Sequence, residues 1–180
     1  PPANDSCSGS VFITANTGAT VGTFVSATPM TGSTYKDVFY SFTPLVTGSF
    51  TITINGFSVS GDRDLYVYNT CPSTYSTSTN VVASGTATSS TVDSVKTTFT
   101  AGTTYKIMVQ DYAGAGGTFN ITITGPAAYF SKATGNLNAL STWGSNPDGS
   151  GTSPISFTAA NQSFIIKNNA TPSFRAFNRN

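Results

Sequence analysis

The chain contains no histidine and no glutamate. Its acidic residues are all aspartates: Asp5, Asp37, Asp62, Asp64, Asp93, Asp111 and Asp148. Histidine is the side chain that ordinarily titrates near neutral pH, so its absence removes Ser–His–Asp and Cys–His sites. Only Cys7 and Cys71 remain as soft ligands, too few for a zinc centre. An aspartate pair is the one arrangement left that could serve a glycosidase. These absences point to a protein that is not an enzyme.

Charge is also scarce. Charged residues make up 8% of the 180, against roughly 25% in an ordinary soluble domain. The net charge is +1 and no basic cluster occurs, which argues against nucleic acid or an anionic membrane as partner. No apolar run approaches the roughly 20 residues that span a bilayer. Leucine is limited to Leu45, Leu65, Leu137 and Leu140.

What fills the chain is Thr, Ser, Gly and Asn, with 13 Phe and 8 Tyr. Thr and aromatics favour strands, and so many aromatics argue against disorder. An uncharged, hydroxyl-rich surface suits an exported β protein. Pro1-Pro2-Ala3-Asn4 has no signal-peptide character, so a leader is expected to have been removed already. Two cysteines in an exported chain suggest one disulfide, Cys7 to Cys71; the alternative is two buried thiols.

From Val11 to Thr124 the pattern has period two. Val38, Tyr40 and Phe42 alternate with more polar neighbours, and Phe50, Ile52 and Ile54 with Ser49, Thr51 and Thr53. Leu65 and Val67 oppose Tyr66 and Tyr68; Tyr105, Ile107 and Val109 oppose Lys106, Met108 and Gln110; Phe119, Ile121 and Ile123 oppose Asn120, Thr122 and Thr124. Such alternation describes sheets with one buried and one solvated face. The expected fold is all-β, a two-sheet antiparallel sandwich with a β-rich C-terminal extension. Asn55-Gly56, Gly61-Asp62, Ala101-Gly102 and the glycine-rich run Ala113–Gly117 mark turns. The last reads as a flexible hairpin turn, since no helix follows it to hold a phosphate. Pro72 to Ser94 reads as long surface loops around one strand at Val81-Val82-Ala83. Gly125-Pro126 marks a boundary between a sandwich over 1–124 and an extension or incomplete second domain over 125–180. Ser163 to Lys167 reads as a strand there.

Several residues are candidates for function. Asp62 and Asp64 flank Arg63 at a turn entering a strand. They could present two carboxylates to Ca²⁺, the one cofactor the sequence admits, with Asp37, Asp93 and Asp111 as further oxygen donors, or simply shape the turn. Tyr66, Tyr68, Tyr112 and Trp143 could form an aromatic platform for sugar or protein. The alternative is an outward ladder for Tyr66 and Tyr68, and an anchor of the tail's own core for Trp143. Phe157, Phe164, Ile165 and Ile166 are apolar with few local partners, and could add to the sheet edge of a neighbouring molecule. Asn4, Asn120, Asn161 and Asn169 stand in Asn-x-Ser/Thr sequons, which abundant Ser and Thr generate by chance.

The segment from about Asn4 to Thr124 resembles the bacterial pre-peptidase C-terminal domain family, in the variant common in secreted multidomain proteins of the Bacteroidetes group. The resemblance rests on Asn4-Asp5-Ser6-Cys7, Asp37–Phe42, Asp62–Tyr68, Ala101–Ile107, and Val109–Tyr112 continuing through Gly117-Thr118-Phe119. The tail from Tyr129 looks like the opening of a further repeat-type β domain, with no match from Ser173 to Asn180. The resemblance implies a non-catalytic sandwich of jelly-roll type attached to secreted proteins. Its relatives include collagen-binding and carbohydrate-binding modules, some with calcium.

Two functions follow as expectations. The first is an extracellular structural or adhesive subunit that assembles with copies of itself, or on an extracellular polymer or protein surface, through the tail; head-to-tail contacts would give filaments. The second is a carbohydrate- or protein-binding accessory module of a larger secreted hydrolase. Whether the tail packs within its own chain discriminates between them.

Overall fold

A computed structural model describes residues 1–88 and 91–168; the Asn169 sequon and the stretch Ser173–Asn180 lie outside the described residues. The chain divides into two compact units, Pro1–Gly125 and Pro126–Asn180.

Among the described residues of the first unit, nine strands form two sheets: β1 (Val11–Phe12), β2 (Thr20–Thr23), β3 (Asp37–Phe42), β4 (Gly48–Asn55), β5 (Asp64–Tyr68), β6 (Val81–Gly85), β7 (Val92–Phe99), β8 (Tyr105–Gln110) and β9 (Thr118–Thr124). One sheet has the order β1-β3-β8-β5-β6, the other β2-β9-β4-β7. From β2 to β9 every connection crosses between sheets except β5–β6, which gives the strand order of a jelly roll. The pairings are antiparallel apart from β1, which runs parallel to β3. That exception to the antiparallel expectation arises because the N-terminal segment runs alongside β3. Asn4 bonds Phe39 at both backbone groups: its carbonyl accepts Phe39 N–H at 2.8 Å and its Nδ2 donates to Phe39 O at 3.0 Å.

The core between the sheets is built from the inward half of each alternation. Phe42 of β3 meets Phe50 of β4 at 5.1 Å and Phe99 of β7 at 5.5 Å, both edge-to-face. Tyr105 packs on Phe99 at 4.7 Å. Such pairs each add about 0.5–1.5 kcal/mol beyond their buried area. At the other end Phe119 contacts Phe24 and Tyr40. These rings fill the space over Gly22, where a Cβ would collide with Phe119 and the Tyr40 hydroxyl.

The second sheet behaves as its alternation predicts, with β4 and β9 burying every other residue. The five-stranded sheet does not. All of β3 and β5 is buried, on both faces. Its outer face carries a smaller core of Cys7, Phe39, Tyr66, Tyr68 and Met108, flanked by Met30, Tyr75 and Val81. The disulfide Cys7–Cys71, with Cα atoms 5.7 Å apart, straps the N-terminal segment to the 69–80 loop over this face. Tyr68 Oη donates to Ser76 O at 2.8 Å, and Tyr75 N–H donates to Thr31 O at 2.8 Å, closing the cover.

The second unit holds a three-stranded sheet of β10 (Ala127–Ser131), β11 (Trp143–Gly144) and β12 (Gln162–Ile165), in the order β11-β10-β12. β12 runs parallel to β10, with Phe164 opposite Tyr129. Phe164 lies 5.5 Å from Tyr129, 5.1 Å from Trp143 and 5.2 Å from Phe157. The apolar strand thus has partners inside its own unit, contrary to the expectation of few. Ile165 is half-buried and Ile166, just beyond the strand, is 45% exposed.

Candidate functional site

Asp62 and Arg63 lead into β5, which begins at Asp64; Arg63 reaches the glycine-rich loop, while the two aspartates line a cleft. Arg63 is 1% exposed. Its guanidinium lies between Phe24 and Phe57, 5.5 and 5.3 Å from the ring centroids. Nε is 3.1 Å from Asp111 Oδ1, an ion pair rather than an aligned hydrogen bond. The terminal nitrogens donate to Gly116 O at 2.8 Å and Asp62 O at 3.1 Å. Asp111 accepts the N–H groups of Ala115 and Gly116 at 3.2 and 2.7 Å. The glycine-rich run expected to be a flexible turn is therefore fastened at several backbone atoms.

The cleft lined by Asp62 and Asp64 is open and measures about 370 Å³. Tyr66 and Tyr112 form its aromatic part. Thr77, Ser84, Thr86 and Thr88 supply hydroxyls. Ser84 arrives because β6 pairs it with Tyr66. Tyr112 is 48% exposed and rests against Tyr35 at 4.7 Å between centroids.

Among the described residues the carboxylates of this cleft have no cationic partner, and Arg63 is committed to Asp111. Burial pushes the Asp64 carboxyl from the usual 3.8 up to about 6, and the charges of Asp62 and Asp93 add to the rise. Burial raises Asp93 as well, against the backbone hydrogen bonds it accepts. Asp62 Oδ1 is a buried oxygen with no hydrogen-bond partner. Tyr75 Oη donates to Tyr66 Oη at 3.1 Å, and Tyr66 Oη lies 3.4 Å from Asp64 Oδ2. This relay orients Asp64 from beneath the loop cover.

The residues expected to act together separate into groups. Asp62, Asp64, Tyr66 and Tyr112 share the cleft. Tyr66 is only 4% exposed and Tyr68 is wholly buried, so neither forms the outward ladder or offers a ring face; the strapped loop covers them. Trp143 belongs to the second unit, where it is buried and donates Nε1–H to Leu137 O at 3.0 Å. Phe157 and Phe164 pack on each other there. Asp62 and Asp64 would give calcium two of the six to eight oxygens it takes, and among the described residues no group of three or more carboxylates or cysteines is placed to hold a metal ion.

Sequence reasoning passes over Arg63 as the centre of the loop cluster, and admits Asp93 only as a further oxygen donor to calcium. The available signal for Asp93 is the spacing Asp93, Val95, Phe99, which puts it on the inward face of β7.

No family model matches the chain, and no curated protein matches it in sequence. Among solved structures it is similar to the pre-peptidase C-terminal domain of a collagenase from Bacillus anthracis, at 17% identity and TM-score 0.44, covering 63% of this chain and 93% of that one. It is also similar to a periplasmic inhibitor of g-type lysozyme from Aeromonas hydrophila, at 16% identity and TM-score 0.39, covering 63% and 95%. A family 35 carbohydrate-binding module from an environmental isolate aligns at 18% identity and TM-score 0.33, covering 64% and 83%.

Proposed function

We propose that the chain is a non-catalytic binding module of a larger secreted protein, and that its cleft takes a carbohydrate. The observation that carries this reading is the composition of the cleft: one half-exposed aromatic ring, Tyr112, beside two aspartates and a ring of hydroxyls. An aromatic ring covers the apolar face of a sugar. Carboxylates accept hydroxyl protons in short, charge-assisted hydrogen bonds. Asp62 and Asp64 both line the cleft, where their carboxylates would meet such hydroxyls. The open shape suits a segment of a polymer. The disulfide supports an oxidising, extracellular setting.

Absence of His and Glu supports a non-catalytic role, and binding without turnover tests it. The intact chain is expected to be retarded in gels containing a soluble polysaccharide and to release no reducing ends from it. Release of reducing ends, lost on Asp64→Asn, would make the aspartates catalytic instead.

A further inference from the structure

Three polar side chains occupy one register row across the five-stranded sheet. Gln110 of β8 stands opposite Asp37 of β3 and, on its other side, opposite Asp64 of β5. Asp37 and Gln110 are fully buried. Each carries one oxygen without a hydrogen-bond partner, Asp37 Oδ1 and Gln110 Oε1. Directly opposed residues of an antiparallel pair have Cβ atoms about 4.5–5.5 Å apart, so these side chains are within reach of each other.

Both side chains spend their other polar atom on the same loop, residues 27–36. Asp37 Oδ2 accepts the N–H of Met30 at 2.9 Å. Gln110 Nε2 donates to Ser33 Oγ at 3.1 Å. The Ser33 hydroxyl donates to Tyr35 O at 3.2 Å and accepts Tyr35 N–H at 3.1 Å. A hydroxyl has a single proton, and this one is committed to Tyr35. Gln110 must therefore give its NH₂ to Ser33 and keep its carbonyl for another donor. Two buried acceptors on directly opposed residues each forgo a hydrogen bond, and a single proton shared between them would satisfy both.

We propose that Asp37 is a neutral carboxylic acid whose Oδ1–H donates to Gln110 Oε1, and that this shared proton latches the 27–36 loop onto the sheet. The surroundings agree. Burial lifts the Asp37 carboxyl from the usual 3.8 to about 6; the Met30 N–H opposes the rise and Asp5 adds to it. Asp5, in the N-terminal segment, is itself occupied by the N–H and hydroxyl of Thr28. From β5, Tyr68 faces Asp37: burial chiefly raises its phenol, Tyr75 adds to the rise, and so does Asp37 when ionised. Asp64 lies beyond Gln110 and is raised in the same way. Lys36 precedes Asp37 in the chain, and its carbonyl accepts the N–H of Asp111 at 2.8 Å. The latch is independent of what the cleft binds. Its proton is lost as pH rises through the folded value, so the loop loosens toward neutral pH.

Carbon-13 NMR of the intact chain, labelled at aspartate carboxyls, reads this directly. The Asp37 signal is expected to titrate with a midpoint about two pH units above an ordinary aspartate, roughly 100-fold tighter proton binding. Asp37→Asn supplies a permanent copy of the latch, its carbonyl accepting from Met30 and its NH₂ donating to Gln110. The variant is expected to melt above the parent at pH 7.5, match it at pH 4, and protect the amides of residues 27–36 from exchange at pH 7.5. A midpoint near 4 would overturn the proposal. So would a variant less stable than the parent at pH 7.5, which would mean that Gln110 donates to an ionised Asp37. Should the variant not fold, the titration of the parent decides alone.

Discussion

Arg63 and Asp111 form a buried ion pair, Nε to Oδ1 at 3.1 Å, that joins the entry of β5 to the glycine-rich loop. Removing one member leaves the other charge buried. Arg63→Met is expected to destabilise the first unit by about 3–5 kcal/mol in urea denaturation. Combining it with Asp111→Asn should cost less than the sum of the two, with a coupling of about 1 kcal/mol or more. Additive losses would mean that the two side chains act separately.

The disulfide closes a separation of 64 residues. Cys7→Ser with Cys71→Ser is expected to lower stability by about 4 kcal/mol, from unfolded-state entropy alone. Because the strap also covers Tyr66 and Tyr68, the variant should show raised solvent accessibility of those rings in tyrosine fluorescence quenching. A stability loss without that change would confine the bridge to its effect on the unfolded chain.

Asp64 holds its proton up to about pH 6 in the folded protein, against 3.8 for an ordinary aspartate. The fold binds the proton more tightly than the unfolded chain, so the associated stability is complete below 3.8 and is lost as pH rises through about 6. Asp64→Asn should flatten the fall in melting temperature across that window. An unchanged profile would assign the whole slope to other groups.

Phe164 is packed among Tyr129, Trp143 and Phe157. Phe164→Ala should destabilise the second unit by about 2 kcal/mol or more, read through the fluorescence of the single tryptophan. Sedimentation of the intact chain should be the same for parent and variant. A parent that self-associates and a variant that does not would return the tail to an assembly role.

The period-two alternation makes β3, β4, β5, β8 and β9 legible, because each places large apolar residues on the face that meets the other sheet. β7 is obscured, since Asp93 and Thr97 share inward register positions with Val95 and Phe99. β2 is obscured because its only buried residue is Gly22, a space for other residues' rings rather than a side chain. The outer face of the five-stranded sheet is hidden for a different reason. Nothing in the local pattern of β5 says that a loop strapped by Cys71 will cover Tyr66 and Tyr68. Of the cleft, Asp62 and Asp64 are legible as a pair, and Tyr66 and Tyr112 as aromatics of a separate platform; that the two sets share one cleft is not legible. The threonines that complete it come from loops whose course depends on tertiary contacts, and Arg63 is misread because its partner lies 48 residues away, from 63 to 111.

Calorimetric titration of the intact chain against a panel of soluble polysaccharides tests the binding role most directly, with Tyr112→Ala and Asp62→Asn measured beside it. Both residues line the cleft without holding the core, so both variants should melt within a degree or two of the parent. The account predicts that at least one glycan binds the parent and that each variant binds it about tenfold more weakly, a loss near 1.4 kcal/mol. No binding to any glycan, or binding equal in all three proteins, would contradict it.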